Sequence, residues 1–145
     1  MIQRIQTIFL FLFALVFGAL FKVPFAISNK PSVQFLSDQI FDVTDHPVLL
    51  LLTIAGIVLA VITIFLFKKR KVQVRMGYFL IIVSILLPVV AFLLFTRASA
   101  SADQTVEVSD QAGLFLPLAG VVLAGLANYF IKKDDKLVKS MDRLR

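Results

Sequence analysis

Cysteine and tryptophan are absent from this 145-residue chain, and histidine occurs once, at position 46. The first absence excludes a disulfide framework, a thiol nucleophile and any cysteine-ligated metal. A lone imidazole excludes the multi-histidine spacing of a zinc centre. The third shortage is the most informative, because long stretches carry no charge at all. Four apolar runs, at about 5–21, 48–67, 76–96 and 113–131, are separated by charged segments. The second run holds 20 residues and the third 21, all uncharged. Crossing a bilayer's hydrocarbon takes ~20 apolar residues. In lipid each backbone amide must be bonded internally, so such runs become helices. The expected fold is an all-α membrane protein, an up-down bundle of four transmembrane helices. Its spans fall at about 5–23, 48–67, 76–96 and 113–131, with short outer loops and a C-terminal helical tail over 132–145.

What is there agrees with that expectation. The chain is 59% hydrophobic, has a mean hydropathy of +0.94 and contains 15 phenylalanines. A soluble domain of ordinary size, about 50 residues or more, finds no room outside the spans. One helical domain over residues 1–145 is the natural organisation.

The net charge is +6, and its distribution decides orientation. One side collects Arg4, then Lys68, Lys69, Arg70, Lys71 and Arg75, then Lys132, Lys133, Lys136, Lys139, Arg143 and Arg145. Against these 12 basic residues stand Asp134, Asp135 and Asp142. The other side has Lys22, Lys30 and Arg97 against Asp38, Asp42, Asp45, Asp103, Glu107 and Asp110. The split, +9 against −3, puts both termini and the middle turn in the cytoplasm by the positive-inside rule. The first run, with Arg4 before it and Ala26-Ile27-Ser28 after it, also has the outline of a cleavable signal. It exceeds the usual ~7–15-residue apolar region, so a retained span is expected.

The loops carry weaker signals. Val33, Leu36, Ile40 and Val43 recur at helical spacing, while Val33-Gln34-Phe35 equally suits a strand. Thr105-Val106-Glu107-Val108-Ser109 alternates as a strand does and can pair with the Val33 segment. Asp45 is placed to cap the second helix and Pro47 to open its first turn. Pro88 falls in the middle of the third run, where a kink is expected. In the tail, Leu137, Met141 and Leu144 form a helical stripe, and Asp135 with Lys139 is a favourable four-apart pair.

Helices two and four share a pattern. Ala55-Gly56-Ile57-Val58-Leu59-Ala60 parallels Ala119-Gly120-Val121-Val122-Leu123-Ala124. Gly56 with Ala60, and Gly120 with Ala124, are small pairs four apart, a spacing that lets helices approach closely. A duplicated hairpin would explain the match, but helices one and three show no counterpart, so chance similarity is favoured.

Little here resembles chemistry. The spans' polar groups are Thr53, Thr63, Ser84 and Asn128, with Tyr78 and Tyr129 near the cytoplasmic ends. Threonine and serine can bond to the preceding helical turn. The tyrosines suit an interfacial belt. Asn128 is the candidate for a hydrogen bond between helices. His46 near Asp38, Asp42 and Asp45 reads as a capping-region residue rather than a metal ligand. No phosphate loop or catalytic triad is present, so no enzyme activity and no cofactor or metal are expected. The basic segments lack the interleaved aromatics that stack bases, which argues against a nucleic-acid partner. Attraction to anionic lipid accounts for them.

The start, Met1-Ile2-Gln3-Arg4-Ile5-Gln6-Thr7, and the end, Lys132 through Arg145, resemble domain-of-unknown-function family 4293. Gly113-Leu114-Phe115-Leu116-Pro117-Leu118 and the basic turn ending in Gln73-Val74-Arg75 fit as well. The resemblance covers the whole chain. It implies a small four-helix protein of the inner membrane of Bacteroidota bacteria and supplies no reaction. It draws attention to the tail residues Asp142, Arg143 and Arg145. The expected role is a non-catalytic accessory or scaffold subunit of a larger membrane complex. Its contact face would be Arg4, the basic turn over 68–75, and Leu137, Met141, Asp142, Arg143, Leu144 and Arg145. The alternative is a small self-associating transporter or channel for an apolar or lipid-like substrate.

Overall fold

The computed structural model describes the backbone of residues 3–28, 40–100, 108–110 and 112–142, and the side chains of 5–27, 40–97, 113–138 and 140. Four helices dominate: α1 (Gln3–Ala19), α2 (Pro47–Phe65), α3 (Arg70–Ala100) and α4 (Leu116–Asp142). Each packs on its chain neighbours, and α4 closes the ring by packing on α1. Pro47–Lys68 and Arg70–Arg97 are long and apolar enough to cross a membrane, by length and composition. Their most apolar stretches are only 28% and 22% buried.

Helix boundaries follow local chemistry and correct several expectations. α2 is capped by His46, not Asp45. His46 Nδ1 accepts from Val48 N at 3.2 Å, and its backbone is extended. Pro47 has no N–H, so Val48 offers the first free donor, two residues beyond the cap. Asp45 is occupied elsewhere, its Oδ2 accepting from Asp42 N at 2.6 Å. Regular α1 stops at Ala19 rather than near Val23. The chain tightens there through Leu20 N to Phe17 O (3.3 Å) and Lys22 N to Ala19 O (2.9 Å) before Pro24. Such three-residue bonds commonly tighten a last turn. α3 begins at Arg70, six residues before Met76, because Lys, Gln and Arg are good helix formers and nothing in 70–75 breaks the helix. Only a 3-10 turn at Leu66–Lys68 and Lys69 separate α2 from α3. α3 runs through Pro88 without interruption, and Pro117 sits in the first turn of α4, where its missing N–H costs nothing.

The core runs the length of the bundle. It passes through Leu10, Phe13 and Phe17 of α1, Leu49 of α2, Leu80 and Leu87 of α3, and Ile131 of α4. Gly56, Ala60, Gly120 and Ala124 are all buried. The small faces of α2 and α4 both accommodate an aromatic ring. A Cβ on Gly56 would lie 2.7 Å from the Phe17 ring, and one on Gly120 would lie 2.8 Å from it. Phe17 stacks in turn on Phe13, centroids 4.4 Å apart. Thr53, Thr63 and Ser84 are buried and donate to the carbonyls of Leu49, Leu59 and Leu80, four residues earlier.

One end of the bundle carries a small antiparallel sheet. Its strands are β1 (Ala26–Ser28), β2 (Ile40–Phe41) and β3 (Val108–Asp110), in the order β2-β1-β3. The expected outer strand over 105–109 is therefore described at 108–110, and its partner is β1, with Ile27 opposite Ser109. The Val33 segment lies outside the described residues. Aromatic rings seat the sheet on the helices: Phe41 lies between Phe25 (5.9 Å) and Phe95 of α3 (6.1 Å). Gly113 N donates to Pro24 O at 3.1 Å, and a Cβ on Gly113 would overlap that carbonyl, so the contact requires glycine.

Candidate functional site at the basic end

The end opposite the sheet gathers the start of α1, the α2–α3 turn and the last turns of α4. Helical basic residues surround a buried polar layer there. Gln6 of α1 is 3% exposed, and Gln73 of α3 is 1% exposed. Gln73 Nε2 donates to Thr63 O of α2 at 3.1 Å, tying the two helices at their turn. The Oε1 atoms of both glutamines are buried without a hydrogen-bond partner. Asn128 of α4 reaches α3. With its amide oriented donor to acceptor, Nδ2 donates to Val74 O at 3.3 Å and Oδ1 accepts from Tyr78 N at 3.2 Å. Both partners belong to one helical step of α3. Gly77 lies beneath, and a Cβ there would overlap the Asn128 carboxamide.

An ion pair closes the base. Arg70 Nη2 lies 3.0 Å from Asp134 Oδ2, and Arg70 Nη1 donates to the main-chain oxygen of Asp134 at 3.3 Å. The directed bond is the one to the carbonyl; the carboxylate contact adds charge proximity in a half-shielded setting. Above it, Lys132 Nζ donates to the Tyr78 hydroxyl at 2.5 Å and lies 5.1 Å from the centre of that ring.

Those predicted contact residues whose side chains are described lie at this base. Arg70 is committed to Asp134, whereas Lys68, Lys69, Lys71 and Arg75 are exposed. Lys68 Nζ sits 5.9 Å over the Phe67 ring. Leu137 is exposed on the α4 extension, which continues to Asp142. Arg4 belongs to α1, and Met141 and Asp142 to α4, but their side chains lie outside the described set, as does that of Lys139. Arg143, Leu144 and Arg145 lie outside the described residues altogether. Sequence reasoning misses Gln6, Gln73 and the Arg70–Asp134 pair. The glutamines fall in polar segments that read as flanks, and the ion pair joins residues 64 positions apart. Among the described residues no group of three or more His, Asp or Glu side chains could hold a metal ion.

Residues 2–144 match the family model described as Domain of unknown function (DUF4293). The chain belongs to this family. No match was found among curated proteins or among solved structures. The DUF4293 match takes in α1 through α4 and the sheet together, including the polar layer and nearly all of the tail.

Proposed function

We propose that this DUF4293 protein spans the bacterial cytoplasmic (inner) membrane four times, with both termini and the α2–α3 turn on the cytoplasmic side. There it acts without catalysis, as a small accessory or scaffold subunit of a larger membrane complex. The observation that carries the membrane reading is apolar surface on the outside of every helix. Phe11 in α1, Leu51 in α2, Phe92 in α3 and Val122 in α4 are 56%, 69%, 61% and 61% exposed. Water would penalise such faces at roughly 25 cal/mol per Å² of apolar surface. Thr53, Thr63 and Ser84 bond back onto their own helices and Asn128 bonds across to α3, as a lipid solvent favours. The sequence's charge split, +9 for the terminal and middle-turn segments against −3 for the two other loops, supports the orientation.

The scaffold reading rests on uncharged apolar runs joined to a distinctive base and tail. Affinity purification from native membranes in mild detergent tests it. The full chain is expected to bring down a larger partner in fixed ratio. Deleting residues 136–145, or combining Arg143→Lys with Arg145→Lys, should release that partner while insertion stays normal, since lysine cannot copy arginine's planar fork. A truncated chain that keeps its partner would reduce the tail to a topology signal. A self-oligomer stabilised by an apolar substrate would favour transport instead.

A further inference from the structure

We propose that the groove between α3 and α4 holds one anionic phospholipid, its phosphate on Lys132 and Tyr78 and an acyl chain laid over Gly125. The site rests on the membrane reading above.

The headgroup end comes from a contact across two helices. Lys132 of α4 and Tyr78 of α3 meet at 2.5 Å, and both are exposed. An ammonium and a phenolic hydroxyl held together present several donors to one small region. Lys132's neighbour Lys133 is exposed as well, and Arg75 stands one turn from Tyr78 on the same side of α3. Of the two acids that follow Lys133, Asp134 is taken up by Arg70, and Asp135 stands three residues from Lys132, offset by the cations Lys132, Lys133 and Arg75. A phosphate diester at this level meets cations and a hydroxyl donor.

The apolar end comes from helical spacing. Gly125, Tyr129 and Lys132 lie at positions i, i+4 and i+7, on one face of α4. A Cβ built on Gly125, like one on Gly18 of α1, meets nothing within 4 Å, unlike those on Gly56, Gly77, Gly113 and Gly120. Gly125 thus leaves open surface, with no side chain of its own, on the face that leads to Lys132. On α3 the face below Tyr78 continues through Ile82 and Ile85, which are 56% and 49% exposed. On α4 it continues to Leu118, 52% exposed. A single chain can lie along this line with its phosphate at Tyr78.

The test uses the full-length protein purified in mild detergent. Native mass spectrometry and thermal unfolding are followed with added phosphatidylglycerol, phosphatidylcholine or inorganic phosphate. Wild type should retain one phosphatidylglycerol and gain stability from it over phosphatidylcholine. Lys132→Gln with Tyr78→Phe should cut that preference about fivefold or more, given the worth of one cation near an anionic headgroup. Lys132→Arg should keep it. Gly125→Leu has room to fold, and should weaken retention by placing a side chain in the acyl chain's path while Asn128 packing is unchanged. Equal retention of the two lipids by wild type, or variants indistinguishable from it, overturns the site. Stabilisation by inorganic phosphate as strong as by phosphatidylglycerol overturns the lipid assignment. Carbonate extraction of the same membranes separates the two levels. Protein released by carbonate refutes the membrane reading, whereas embedded protein without lipid preference refutes only the groove.

Discussion

Phe17 shows how one side chain can set the spacing of three helices. Its ring lies against Gly56 on α2 and Gly120 on α4, and neither position has room for a Cβ. Gly120→Leu should therefore force α1 and α4 apart. A loss of about 1–3 kcal/mol is expected from overpacking, with larger losses if the ring cannot move. Leu116→Ile conserves volume and should cost less than ~1.5 kcal/mol. Thermal unfolding in detergent checks both, and equal stability of the two variants would remove Gly120 from the packed face. Asn128 makes a different argument. Its amide bonds across to α3, and such bonds are worth roughly 0.6–2 kcal/mol in a membrane bundle. Asn128→Ala should lose about that much. Gly77→Ala should cost a similar amount in the native background and much less once Asn128 is already alanine. Additive effects in that cycle would mean the two residues do not share a contact.

At the level of elements, the helices are legible in the sequence because uncharged apolar runs of that length, placed in lipid as proposed, have one stable backbone solution. The back-bonding of Thr53, Thr63 and Ser84 is legible for a similarly local reason. What depends on distant neighbours is not. Gly56 and Gly120 read as points of close helix approach, yet the occupant between them is a ring from α1, which spacing within α2 or α4 cannot name. The sheet partner of Val108–Asp110 escapes the sequence because strands of two and three residues carry almost no pattern of their own. The start of α3 reads late because residues 70–75 look like a basic turn, although they favour helix. That segment supplies Arg70, which holds the last turns of α4 through Asp134. Asp134→Asn should change global stability by only about 1 kcal/mol or less, as partly exposed ion pairs do. Amides beyond residue 134 should nonetheless exchange faster with solvent. Unchanged exchange there would show that the α4 extension is held by other contacts.

For the whole molecule, the pattern is an apolar outside, an interior of leucine, alanine and phenylalanine, a small sheet at one end and a basic, glutamine-lined base at the other. Those features belong together if the bundle crosses a bilayer with its base in the cytoplasm. The cysteine-free chain allows a direct measurement of that claim. Single cysteines at Lys30, Thr105, Lys71 and Ser140 are to be treated with a membrane-impermeant maleimide on cells with a permeabilised outer membrane and an intact inner one. Lys30→Cys and Thr105→Cys should label. Lys71→Cys and Ser140→Cys should remain unlabelled until the inner membrane is opened. Labelling at Lys71→Cys or Ser140→Cys in cells with an intact inner membrane would contradict the four-span topology with a cytoplasmic base.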